Sequence, residues 1–185
     1  TDGTTAKDTP AILTTTIPAG TMGSYFVAGQ WVRLNTISGT EQHWSWFEIT
    51  SIDAQKLNAK YKGGTTTQNY ASKIWRPSAF RTGRYPTCGC IHEGRLCYCM
   101  NRYVFLSKSD AYDNFSLTDA KGIVAASNAM TVTINMKQAN DIVWCASDRN
   151  LMIGTNNEEY AIKADDYGTT LTPTTIKAQQ QSTVG

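Results

Sequence analysis

The segment Thr87-Cys88-Gly89-Cys90-Ile91-His92-Glu93-Gly94-Arg95-Leu96-Cys97-Tyr98-Cys99-Met100 decides how the chain is read. Glu93-Gly94 separates two short runs, the form of a two-residue β-hairpin turn. Such a turn sets Cys90 opposite Cys97 and Cys88 opposite Cys99. Strand side chains alternate with a period of two, so all four thiols fall on one face of the hairpin. The runs that follow have the same character: Tyr103–Ser107, Ala129–Ile134, Asp141–Cys145, Leu151–Thr155 and Glu159–Lys163, with turns at Asp148–Asn150 and Asn156–Asn157. The last three make up most of a propeller blade, although spacing alone does not separate a propeller from a sandwich. The residues after Pro173 are polar and read as extended.

Composition agrees with an all-β chain. The 185 residues carry a net charge of +2, with 41% hydrophobic and 17% charged residues. Thr is the commonest residue, and five Trp and nine Tyr add to a composition of strands rather than helices. The longest apolar runs, such as Ile142–Ala146, fall far short of the roughly 20 residues that a membrane-spanning helix needs. The first residues, Thr1-Asp2-Gly3-Thr4-Thr5, lack the basic start and apolar stretch of a secretory leader, so oxidising conditions are not implied.

Three regions are expected. Residues 1–20 are Thr, Ala and Gly with few large apolar groups, and read as a linker or loose lead-in. Residues 21–66 form a small antiparallel β unit, with strands around Gln30–Leu34, Trp44–Ile49 and Lys56–Tyr61, and the loop Gly63–Thr67 marks its end. Residues 67–185 hold the partial propeller.

Charge is unevenly placed. Lys73, Arg76, Arg81, Arg84, Arg95, Arg102 and Lys108 face one acid, Glu93, so this segment carries +6. From Ser109 to Asp166, nine acids, among them Asp141, Asp148, Glu158 and Glu159, outnumber four bases. Such asymmetry fits a nucleic-acid surface, complementary faces between copies of one subunit, or solvated faces with no partner.

The candidate chemistry is sparse. Cys88, Cys90, Cys97 and Cys99 admit cross-strand disulfides, a thiolate zinc site, or small buried groups in a tightly packed sheet. Cys-x-Cys on flat strands suits tetrahedral coordination poorly, and the buried-group reading is favoured. No metal or cofactor is expected. His43 and His92 are the two histidines. His92 shares a face with Cys90 but reads as a surface residue beside the turn. No phosphate loop, nucleophile elbow or carboxylate pair is present, so no enzymatic activity is expected. Trp31, Trp44 and Trp46, with Trp75 and Tyr25 nearby, offer either an aromatic platform for sugars or bases, or the core of a small sheet.

Taken together in order, Tyr85-Pro86, Ile91–Leu96, Leu106–Ser116, Asn140–Trp144, Asp148–Thr155 and Leu171–Thr174 resemble the tail nozzle proteins of short-tailed bacteriophages, also called tail tubular protein B or packaged-DNA stabilisation protein. The resemblance spans residues 75–185, and loosely 29–60. It implies a structural virion protein, a sixfold ring at the end of the tail tube, built around a β-propeller and lining the channel for genome retention and ejection. It also implies neighbours, namely an adaptor or tube protein, tail fibres and passing phage DNA, with assembly in the bacterial cytoplasm. Family members are several times longer, which would make this chain a fragment. They tend to carry bulkier or aliphatic residues at the four cysteine positions, and a longer segment before Tyr103. On this reading Lys73, Arg76, Arg81, Arg84, Arg95, Arg102, Asp141, Asp148, Glu158 and Glu159 are subunit-interface or channel candidates. A carbohydrate-binding module using the Trp platform is the alternative.

Overall fold

The computed structural model describes residues 6–38, 41–64, 72, 74–80, 83–137, 140–165 and 168–182. They form three antiparallel sheets in two compact units, residues 1–85 with 120–123, and residues 86–119 with 124–185.

The first unit is a five-stranded sheet of β1 (Pro10–Thr14), β2 (Trp31–Ser38), β3 (Glu41–Asp53), β4 (Lys56–Gly64) and β5 (Ile74–Pro77), in the order β1-β4-β3-β2-β5. The expected runs became β2, β3 and β4, and two edge strands join them. Residues 10–14 are therefore sheet and not a loose lead-in. Pro10 opens β1, where proline's missing N–H costs an edge strand little, and the remaining backbone pairs with Lys56–Lys60. The boundary also moves from residue 66 to residue 85, because β5 pairs with β2 through Arg33–Arg76 and Leu34–Trp75. A single helical turn, α1 (Met22–Tyr25), places Met22 and Phe26 over one face of the sheet. There they meet Val32, Phe47, Ile49, Leu57, Ala59 and Tyr61.

The second unit holds two meanders. β6 (Cys88–His92), β7 (Arg95–Met100), β8 (Tyr103–Leu106) and β9 (Met130–Thr133) pair in chain order, as do β10 (Ile142–Ser147), β11 (Leu151–Thr155), β12 (Glu159–Ala164) and β13 (Ile176–Ser182). The hairpin register is the expected one, Cys88 with Cys99 and Cys90 with Cys97. The stretch after Pro173, polar and extended in the sequence, is the strand β13. Its Lys-Ala-Gln-Gln-Gln run is largely exposed, and backbone pairing to β12 holds it without an apolar pattern. Both meanders contribute to one core: Cys97, Cys99, Val104, Leu106, Met130 and Ile134 from the first, Ile142, Leu151, Ile153, Tyr160 and Ile162 from the second. In each meander a strand glycine accommodates a neighbouring ring. Tyr98 covers Gly89, and the Trp144 indole lies on Gly154 so closely that a Cβ there would stand 2.0 Å from it.

The long connection from β8 to β9 is held by a buried cation. Arg95, 1% exposed, donates through Nη1 to the carbonyls of Ser107 (2.7 Å) and Asn128 (2.8 Å), and through Nη2 to Ala126 (2.8 Å). Leu96 N donates to Ser107 Oγ (2.9 Å), and Asn128 Nδ2 to Leu117 O (3.3 Å). Burial lowers the guanidinium pKa, and the carboxylates of Glu93 and Asp110 oppose that through charge.

Two outcomes follow. Arg95→Met strands three carbonyls and is expected to cost about 3–5 kcal/mol, measured as a lowered urea midpoint at constant m-value. Gly154→Ala drives a methyl into the indole and is expected to cost about 1–3 kcal/mol. Adding Trp144→Ala should remove most of that penalty, so the double-mutant cycle is strongly non-additive.

Candidate functional site

The densest gathering of reactive groups is a cluster of five thiols in the second unit. Alternation places Cys88 and Cys90 of β6 and Cys97 and Cys99 of β7 on one face, and β10 of the facing sheet brings Cys145 to them. The Sγ atoms of Cys88, Cys99 and Cys145 lie within 4.8 Å of one another. All five are free thiols, with Cys97 and Cys99 buried and Cys88, Cys90 and Cys145 half-buried. Nothing local in the sequence joins Cys145 to the other four, since it is a single cysteine in a separate strand.

The thiols act on one another electrostatically. The Cys145 S–H serves Cys90 and Cys99 as acceptors, which holds both below the ordinary thiol range and pushes Cys145 up. A thiol carries one proton, so Cys145 serves one acceptor at a time. Cys97 is pushed up by its bond to Cys90 and by burial, and its Sγ lies 3.7 Å from the Arg95 carbonyl oxygen. Burial, followed by the charge of Cys99, pushes Cys88 up to about 11. Thr87 Oγ1 lies within hydrogen-bond reach of Ile142 O (3.0 Å) and Cys99 O (3.2 Å) and donates its one proton to either, which pins the adjoining backbone.

His92 is not at the surface. It is 3% exposed, and its Nδ1 lies 2.9 Å from Ser147 Oγ of β10. Beside it a cleft of about 480 Å³ is lined by His92, Glu93, Arg149, Asn150 and Lys163, where Leu171 N donates to Glu93 Oε2 (2.8 Å). His43 is half-buried on β3.

The tryptophans divide between the faces of the first sheet. Register puts Trp31, Trp44 and Trp46 on one face, and Trp75 on the other against Phe26, centroids 5.0 Å apart. Trp44 is buried, with the Arg33 guanidinium 4.0 Å from its ring centroid and 5.1 Å from that of Trp46. A guanidinium therefore covers one face of the Trp44 ring. Trp31 and Tyr25 are exposed, with Lys62 5.7 Å from the Trp31 centroid.

Of the charged candidates, Arg76, Arg84, Arg102, Asp141 and Asp148 are exposed and Glu159 is half-buried. Arg95 is interior, as described above. Glu158 is also interior, 4% exposed, and accepts from Tyr160 Oη (2.8 Å) and Gln180 Nε2 (3.0 Å). Burial and that carboxylate push the Tyr160 phenol up to about 12. Neither Arg95 nor Glu158 is available to a neighbouring subunit or a channel, because folding already uses both. Lys73 and Arg81 lie outside the described residues.

No protein-family model and no curated protein sequence matches the chain.

The burial pattern gives a thiol-reactivity order. In the reduced, metal-free chain, a disulfide reagent should modify Cys88, Cys90 and Cys145 while the chain is folded. Cys97 and Cys99 should react only in denaturant, and peptide mapping of the labelled chain checks the assignment.

Proposed function

We propose that this chain is part of a subunit of the tail nozzle ring of a short-tailed bacteriophage, a structural protein of the distal channel. The observation that carries the reading is the pair of consecutive four-stranded meanders over a common core. Each has two short connections followed by a long one, the plan of successive propeller blades. The motifs behind the resemblance sit at structurally decisive places. Ile91–Leu96 spans the β6–β7 turn, Leu106–Ser116 leads into the connection held by Arg95, and Asp148–Thr155 covers the β10–β11 turn and β11.

A closed ring of identical subunits uses a heterologous interface, in which two different faces of each copy meet. The exposed Arg76, Arg84 and Arg102 and the exposed Asp141 and Asp148 are the charges suited to it. They suit DNA less well. Each phosphate neutralised adds affinity, and tight binding would retard a genome in transit.

Negative-stain imaging of the full-length product and of assembled virions tests the reading. A sixfold ring at the tail tip is expected, and a monomer absent from virions would overturn it. Reversing Arg76 and Arg84 to Glu together should weaken ring assembly by on the order of tenfold at low salt. The effect should shrink toward 1 M salt, where screening acts over about 3 Å. Unchanged assembly at low salt would remove these arginines from the interface.

A further inference from the structure

We propose that Cys88, Cys99 and Cys145, completed by Cys90, form a closed four-thiolate site for a thiophilic divalent cation of the zinc class. Four cysteines on one sheet face are nearly coplanar, and a tetrahedron needs a ligand from above that plane. Cys145 supplies it from β10 of the facing sheet. With metal–sulfur bonds of about 2.3 Å, tetrahedral thiolates stand roughly 3.8 Å apart. The three sulfurs already lie within 4.8 Å of one another, so closing on a cation takes a contraction of at most about 1 Å at any pair.

Cys90 is the fourth ligand because it shares the face of Cys88 and interacts with the Cys145 thiol; it stands outside the 4.8 Å grouping of the other three, so it closes on the cation by a larger side-chain movement than they do. The Cys97 thiol is engaged instead with Cys90 and the Arg95 carbonyl. Soft thiolate sets select zinc-like cations over oxygen-seeking magnesium or calcium. Binding sends the thiol protons to solvent and leaves a complex of charge −2. The buried Arg95 guanidinium, next to the cluster, acts on Cys97 through charge. Four protein ligands leave no open position, so the site is structural, and it ties β6 and β7 to β10.

The test uses the full chain, reduced and kept anaerobic, titrated with Co²⁺ as a coloured substitute for Zn²⁺. Expected are thiolate-to-cobalt charge-transfer bands and the intense visible bands of tetrahedral cobalt, saturating at one equivalent per chain and bleached by Zn²⁺. Cys145→Ser should weaken binding at least about a hundredfold, the upper end of what even outer-shell losses cost. Cys97→Ala should retain the spectrum. Cys88→Ser, on the edge strand, is the second ligand variant should Cys145→Ser misfold by circular dichroism. Absence of the charge-transfer bands, or equal binding by a folded Cys145→Ser or Cys88→Ser chain, would overturn the site. So would equal loss in Cys97→Ala, or an intact mass four hydrogens lighter in chain isolated without reductant, which would mean two disulfides.

Discussion

The Glu93-Gly94 turn is the constraint on which the second unit depends. Both residues have positive φ, 46° and 68°, the conformation whose twist matches that of the flanking strands in a two-residue hairpin. With the loop set at two residues, the pairing of β6 and β7 has no freedom left. A slip of β6 by one residue would turn Cys88 and Cys90 outward and bring Ile91 in. The turn also reaches the long connection. Gly94 O accepts from Asp110 N (2.8 Å), and a Cβ on Gly94 would stand 2.9 Å from Asp110 Oδ1, so glycine serves both backbone conformation and space. Arg95, the next residue, binds the far part of the same connection.

Small groups at the joint between the meanders follow from that register. Cys97 and Cys99 are fully buried in the core that the two meanders share, and β10 lies against β6 beside them. Each large aliphatic side chain buried around them, such as Leu106, Leu151 or Ile153, stabilises the fold by about 1.5–3 kcal/mol, against about 1 kcal/mol for a typical hydrogen bond. Apolar burial thus holds the two sheets together. The buried polar groups decide where the connections lie, because each would be costly if left without a partner.

Much of this was legible in the sequence, for definite reasons. Alternation and an acidic-glycine turn reveal a hairpin because both are local, and β7, β8, β11 and β12 were legible because each is largely buried. β1 and β13 were not, since an edge strand needs only backbone pairing on one side and can be as polar as Lys177–Ser182. β5 escaped for a similar reason: a short edge strand beyond a Thr-rich stretch looks like the start of the next domain. The thiol cluster was only partly legible. Its four hairpin members share one local pattern, whereas the approach of Cys145 is a tertiary fact that one sequence does not contain.

Charge shows the same limit from the other side. Counting along the chain treats Arg95 and Arg102 as equals, yet one sits among carbonyls in the interior and the other faces solvent. Glu158 and Asp148 divide in the same way. A block of like charge on a segment becomes a surface field only after folding removes the members that have internal partners. Along a β-strand that removal tends to alternate with the side chains. Among the interface candidates, Arg76, Arg84, Arg102, Asp141 and Asp148 are the ones that stay exposed. On the ring reading proposed above, such a set would serve orientation between subunits, where complementary charge acts mainly on encounter and register.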